Sequence, residues 1–195
     1  NACYRIDGSS SVPEKNRWIG YYSAGLSWNV MRETFMDNVA FVSDLQLRAS
    51  YGITASPFPT NFGYLSTYAN SRYDGQTGLG VSQIGNANYD WEYNKMANIG
   101  IDFSFFERRI SGSVDVYNKL TENLFIDQRL SATSGANELS INAGKVRNRG
   151  LELALNGDLI PKNDFRWSLG GNAAFNQNRI VDLGQVNEFE QGTSI

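Results

Sequence analysis

The sequence predicts an all-β chain, an up-and-down antiparallel segment of a transmembrane β-barrel with about seven long strands, and three observations carry that prediction. Polar and apolar residues alternate with a period of two over runs about twice the usual 5 to 6 residues of a globular strand. The connections between those runs alternate between long and short. Aromatic residues gather near both ends of the runs.

Asn1 to Ile6 reads as a strand end, followed by the polar loop Asp7 to Arg17. From Trp18 to Val30 one face carries Trp18, Tyr22, Ala24, Leu26, Trp28 and Val30, and the other carries Ser23, Gly25, Ser27 and Asn29. Met31 to Ser43 is a medium connection with room for a helical turn near Glu33 to Asn38. In the third strand Leu45, Leu47, Ala49, Tyr51 and Ile53 alternate with Gln46, Arg48, Ser50 and Thr54. The Gly-, Ser-, Asn- and Tyr-rich stretch Ala55 to Trp91 is expected to be a long loop, and loops of that length are usually functional or disordered.

Tyr93 to Asn123 predicts the clearest hairpin. Ala97, Ile99, Ile101, Phe103 and Phe105 alternate with Asn98, Asp102 and Ser104; after Glu107-Arg108-Arg109, Ile110, Gly112, Val114 and Val116 alternate with Ser111, Ser113, Asp115 and Tyr117. A second long loop is expected from about Thr121 to Asn142. In the sixth strand Leu151, Leu153 and Leu155 share their parity with Lys145, Arg147 and Arg149. That conflict predicts either a register break near Gly150 or a half-strand standing clear of lipid. After the turn Asp158 to Asp164, Phe165, Trp167, Leu169, Ala173 and Phe175 alternate with Arg166, Ser168, Asn172 and Asn176; Arg179 to Ile195 reads as a polar loop.

Long loops on one side and short turns on the other are the asymmetry of outer-membrane barrels. No apolar run approaches the roughly 20 residues of a membrane helix, a test blind to strands. A soluble antiparallel sheet with one covered face also alternates; the strand lengths and the two aromatic girdles favour the membrane. Seven strands fall short of about 8, the smallest closed bacterial barrel, and open edges are not tolerated in hydrocarbon. Residues 1–195 are therefore expected to be part of one larger barrel domain.

Bulk composition narrows the function. A net charge of −3 provides no basic field for nucleic acid. Without histidine the chain lacks the usual general base of serine and cysteine hydrolases and the commonest transition-metal ligand. One cysteine, Cys3, forms no internal disulfide or metal cluster and reads as a small buried or lipid-facing side chain. The Gly78-Leu79-Gly80 stretch lacks the third glycine and βαβ setting of a dinucleotide fingerprint. Asp90 with Glu92, and Glu188 with Glu190, read as solvated loop charges rather than hydrolytic pairs. No catalytic, cofactor or metal residue is assigned, and an enzyme is not expected.

Several stretches taken together resemble the barrel of the SusC/RagA family of TonB-dependent outer-membrane transporters. They are Tyr4 to Ser10 with Asn16 to Trp18, the segment SAGLSW with Glu33 and Phe35, Asp44 to Thr54, Asn88 to Glu92, Asn98 to Phe125, Thr133 to Ile160 and Phe165 to Ile180. Tyr21-Tyr22 and Tyr93-Asn94 stand where the family usually has Phe-Pro and Lys-Thr. The resemblance implies a 22-stranded barrel around a plug, embedded among the lipid and lipopolysaccharide of a Gram-negative outer membrane. It further implies a SusD-like surface lipoprotein as lid, and import of oligosaccharides or peptides driven through TonB. The plug domain, the TonB-contacting segment and the amino-terminal strands are expected outside this chain. A passive porin-like barrel and a soluble carbohydrate-binding β domain are the alternatives.

The resemblance assigns no ligand contacts to single loop residues. Amphipathic rings suit partly wet sugar sites, which makes Phe58, Phe62, Tyr64, Tyr68, Tyr73 and Tyr89 candidates, with Tyr64, Tyr68 and Tyr73 the substrate-binding choice; packing among loops is the competing role. Arg48, Asp102, Asp115, Glu152 and Arg166 are expected on the lumen side, lining a path, holding a plug or simply filling the polar interior.

Overall fold

The computed structural model describes residues 1–57, 62–135, 138–161 and 165–184; for residues 73, 132, 159–161 and 166 it describes the backbone alone. Among the described residues nine strands form, β1 (Ala2–Gly8), β2 (Trp18–Asn29), β3 (Val42–Ser56), β4 (Thr67–Tyr73), β5 (Gln76–Gln83), β6 (Glu92–Phe105), β7 (Ile110–Arg129), β8 (Glu138–Pro161) and β9 (Arg166–Asp182). Seven of them make one antiparallel sheet in the order β1-β2-β3-β6-β7-β8-β9, and β4 with β5 makes a separate hairpin. The main sheet is therefore a meander, open at β1 and β9.

The two faces of this sheet differ as the alternation predicts. One cross-strand row reads Trp28, Leu47, Ile101, Val114, Leu153 and Ala173, and the next outward-facing row reads Leu26, Ala49, Ile99, Val116, Leu151 and Phe175. Leu26 is 78%, Ile99 64% and Phe175 65% exposed. Among the described residues the buried apolar side chains are Val12, Ile19, Val30, Val42, Tyr89, Trp91 and Ile126, none of them in the middle of the sheet. Nothing in the described chain covers the oily face; an apolar surface of this extent needs an apolar neighbour.

The borders of that face reveal the strand tilt. Trp28 and Trp167 mark its lower border, yet Trp167 stands six residues below Ala173, the residue of β9 in register with Trp28. At the upper border Trp18 is ten residues above Trp28, whereas Phe175 is only two above Ala173. Over five strand steps the borders drop by about 1.2 to 1.6 residues per strand. With ~3.3 Å per residue and ~4.8 Å between strands, this equals a tilt of about 40 to 48°. Membrane barrels tilt by roughly 35–45°. A level oily band on tilted strands has to cross the register obliquely, and it does.

Local chemistry explains where the elements depart from expectation. The hairpin turn closes through Arg109 N–H donating to Phe106 O at 3.1 Å, with Glu107 and Arg108 both at positive φ (55° and 67°). This is a type I′ turn, whose twist suits tight hairpins. The expected loop from Thr121 to Asn142 is corrected: β7 runs on to Arg129 and β8 starts at Glu138. Asn123, in the left-handed region at φ 58°, makes a bulge and shifts the register between Glu122 and Phe125. The extra residue breaks the period of two, which gives the run Leu124-Phe125-Ile126 its loop-like pattern.

No register break occurs at Gly150: pairing runs unbroken from Glu122↔Lys145 to Ile110↔Gly157, so the outer half of β8 keeps its parity and stands above the oily band. The long stretch Ala55 to Trp91 is corrected too, since it contains the end of β3 and the β4–β5 hairpin. Between β2 and β3 lie two 3-10 turns, Val30–Arg32 and Thr34–Met36. β9 extends to Asp182, and residues 185–195 lie outside the described residues. Cys3 is exposed, paired in register with Ser23 on the polar face, which corrects its expected burial or contact with lipid.

Candidate functional site

The polar face carries a charged row built across four strands. Arg48, Gly100, Asp115 and Glu152 stand opposite one another on β3, β6, β7 and β8. The Arg48 guanidinium donates through Nε to Asp102 Oδ2 at 2.5 Å and through Nη2 to Asp102 Oδ1 at 3.0 Å. Nη2 also reaches Asp115 Oδ1 at 3.1 Å, two strands away. Gly100 makes that reach possible: a Cβ there would meet Asp115 Oδ1 at 2.4 Å and Arg48 Nη2 at 2.9 Å. A second group lies on β1 and β2, where Arg5 Nε donates to Asp7 Oδ1 at 2.7 Å and the Tyr21 hydroxyl donates to Asp7 Oδ2.

Three of the predicted lumen residues, Arg48, Asp102 and Asp115, thus form one network. Glu152 is in register with it and exposed, and the side chain of Arg166 lies outside the described residues. The arrangement sets one guanidinium against two carboxylates, leaving a net charge of −1, and ties β3 to β6 and β7. It presents no paired acid and base, and no group of His, Cys, Asp or Glu among the described residues could hold a metal ion.

The long-loop end is organised differently. Val12 and Tyr89 are fully buried there, with Ile19 and Trp91 beside them, and Tyr21, Ala55, Tyr64, Tyr93 and Phe125 pack against that cluster. The Tyr89 and Phe125 ring centroids are 5.0 Å apart. Burial pushes the Tyr89 phenol up, and the charge of Asp127 pushes it further. Asparagines that sequence reasoning missed latch this end together. Asn16 Nδ2 donates to Tyr89 O at 2.9 Å, the Trp91 indole N–H donates to Asn16 O at 2.7 Å, and Asn86 Nδ2 donates to Ser140 O at 3.0 Å. Their only sequence signal is an amide inside a polar loop, which is too common to single them out.

The structure separates the predicted aromatic residues. Tyr64 packs against the buried cluster and lies 6.4 Å from Phe62 between ring centroids. Tyr68 is 65% exposed near the base of the β4–β5 hairpin. Tyr73 ends β4, paired with Gln76, and its side chain lies outside the described residues. Phe58 lies outside the described residues altogether, as do Glu188 and Glu190. Tyr89 is interior packing. Asp90 Oδ1 accepts from the Trp91 N–H at 2.8 Å, while Glu92 Oε1 takes the amide of Asn94, also in β6, at 3.4 Å, so each carboxylate serves a near neighbour in the chain. The Gly78 to Gly80 stretch lies within β5.

Comparisons with known proteins agree with this architecture. The family model described as TonB dependent receptor-like, beta-barrel matches residues 4–194. A TonB-dependent receptor of Formosa agariphila is 33% identical over 192 residues, covering 98% of this chain and 18% of the relative. The TonB-dependent receptor SusC of Bacteroides thetaiotaomicron is 34% identical over 188 residues, covering 92% of this chain and 19% of SusC. The RagAB peptide importer in its closed-closed state superposes with a TM-score of 0.88 at 27% identity, over 98% of this chain and 21% of that chain. Its open-open state superposes with a TM-score of 0.81 at 28% identity, over 92% and 20%. The chain thus spans about a fifth of the length of the relatives it matches.

Proposed function

Because this chain belongs to the TonB-dependent receptor-like β-barrel family, we propose that it forms part of the wall of an outer-membrane importer of a Gram-negative bacterium. That importer takes up oligosaccharides or peptides, works with a SusD-like surface lipoprotein, and draws energy from TonB through a segment outside this chain. The wall performs no chemistry. Its outer face dissolves in acyl chains, and its inner face offers water, amides and paired charge to a plug and a passing solute.

The observation that carries this reading is the obliquely bordered oily face opposite the Arg48–Asp102–Asp115 network. The solved structures it resembles support a peptide among the solutes, since RagAB is a peptide importer. On this reading the β4–β5 hairpin stands at the mouth, where Tyr64 fixes its base and the exposed Tyr68 is offered to the ligand or the lid.

Uptake by cells carrying the full-length protein and its lipoprotein tests the proposal. Deleting TonB is expected to abolish uptake, whereas uptake that persists without TonB means a passive pore. Tyr68→Ala is expected to weaken ligand or lid binding about tenfold with the barrel still assembled, as loss of a stacking ring of ~1 to 1.5 kcal/mol predicts. Unchanged binding removes Tyr68 from the site.

A further inference from the structure

Immediately above the oily band, the outward face of β8 and β9 turns strongly basic. Two residues past Leu151 comes Arg149, then Arg147 and Lys145; two past Phe175 comes Gln177, then Arg179. Register puts Asn118 opposite Arg149, Arg149 opposite Gln177, and Arg147 opposite Arg179. On strands of this tilt Arg149 stands about 5 Å, and Arg147 about 10 Å, above Leu151 along the membrane normal.

A groove of about 630 Å³ crosses this border. Val116, Leu151 and Phe175 line its lower part, and Asn118, Arg147, Arg149 and Gln177 its upper part. The cations there are poorly matched by acid. Arg149 Nε donates to Gln177 Oε1 at 2.9 Å, a neutral partner, and Arg147 Nε is buried without a hydrogen-bond partner. Two carboxylates stand in register with Lys145, and each has another partner. Glu122 pairs with Lys95, and Asp182, in register with Lys145, accepts the Gly184 N–H at 2.9 Å. The patch is local, because the corresponding upper border on β2 and β3 carries Trp18, Tyr22 and Tyr51 instead.

We propose that this groove is a binding site for a phosphorylated glycolipid of the outer leaflet, its acyl chains along Val116, Leu151 and Phe175 and its phosphates on Arg147, Arg149 and Arg179. An oily floor continuous with the band and a cationic rim above it complement an amphiphile whose anionic head sits at the membrane surface. Guanidinium forks match phosphate oxygens in pairs. From Lys145 to Arg149 the basic run covers about 13 Å of strand, wide enough for more than one phosphate, which favours a polyphosphorylated glycolipid over a phospholipid with a single one. The inference rests on the outer-membrane reading above.

Its test uses the full-length protein, purified in detergent and stripped of lipid, with binding read by native mass spectrometry. The probes are a diphosphorylated, acylated glucosamine disaccharide, the same lipid without phosphates, and phosphatidylglycerol. The wild type is expected to bind the phosphorylated glycolipid at least tenfold more tightly than either other lipid. The triple variant R147Q/R149Q/R179Q is expected to lose that preference, and R108Q at the opposite, short-turn end to keep it. R149Q alone, with an expected several-fold loss, serves if the triple variant fails to assemble. Equal binding of the three lipids to the wild type, or full preference retained by the arginine variants, overturns the site. Assembly of the wild type in the outer membrane is scored in parallel. If it assembles and binds no glycolipid, the site fails and the importer reading stands; if it never enters the membrane, both fail.

Discussion

Ile99→Arg puts a guanidinium on the outward face of β6, where Ile99 is 64% exposed. The oily band on β6 runs from Phe105 to Ala97, with Ile101 midway between them. Ile99 is two residues further up, about 5 Å from the midplane on a strand of this tilt. An arginine facing lipid costs about 2 to 4 kcal/mol at the midplane and 0 to 1 at the interfaces, so the expected loss here is about 2 to 3 kcal/mol. That corresponds to roughly a 30- to 150-fold shift in the assembly equilibrium. Two companion variants calibrate it. Asn118→Arg, at the upper border of the band, is expected to cost at most about 1 kcal/mol. Ser50→Arg, on the wet face and in register with Asn98, is expected to stay within about 0.5 kcal/mol. Urea-titrated assembly of the full-length barrel into bilayers, followed by heat-modifiable mobility, reads all three. Were the sheet half of a soluble protein with this face in water, Ile99→Arg would be as mild as Ser50→Arg, and that result would refute the reasoning.

Other perturbations act at the wall and at the loops. Arg48→Leu strands two carboxylates on one wall; because the network is half-exposed, the expected loss is about 1 kcal/mol, and adding Asp102→Asn is expected to recover part of it in the same assembly assay. Gly100→Ala inserts a methyl between Arg48 and Asp115 and is expected to cost about as much by parting them. The turn at Glu107-Arg108 holds two ordinary residues at positive φ, each at a cost of about 1 kcal/mol, so the pair Glu107→Asn with Arg108→Gly is expected to raise stability by about 1 to 2 kcal/mol. Tyr89 gives a pH signature: its phenol titrates higher folded than unfolded, so its contribution is complete below the unfolded value of about 10 and is lost as pH rises from there toward the folded value. Proteolysis within residues 84–91 is expected to accelerate above that pH in the wild type and much less in Tyr89→Phe.

The main sheet was legible in the sequence because a wall with one oily and one wet face must alternate, and Ile99, Val116, Leu153 and their neighbours obey that rule without interruption. Aromatic residues at the borders were legible for the same reason, and the type I′ turn was legible as a tight polar reversal. What escaped was everything that breaks the period. The bulge at Asn123 disguised the outer half of β7, and the hairpin 67–83 hid in a composition rich in Gly, Ser and Tyr, where neither face needs to be oily. Cys3 misled because cysteine usually avoids water, yet its parity places it opposite Ser23. The charged row was legible as a list of lumen residues, but not as a network, since Arg48 reaches Asp115 only through the space left by Gly100. At the long-loop end, burial of Tyr89 depends on contacts with residues more than sixty positions away, which local pattern does not encode.

A cysteine scan of β6 in the full-length protein, on a Cys3→Ser background and reconstituted in bilayers, tests the two-faced wall most directly. Labels at 99, 101 and 103 are expected to be quenched by a lipid-soluble quencher and spared by a water-soluble one, and labels at 98, 102 and 104 to show the reverse. Equal access to water at both parities, or odd positions sealed from both quenchers, would contradict a wall between lipid and a wet lumen.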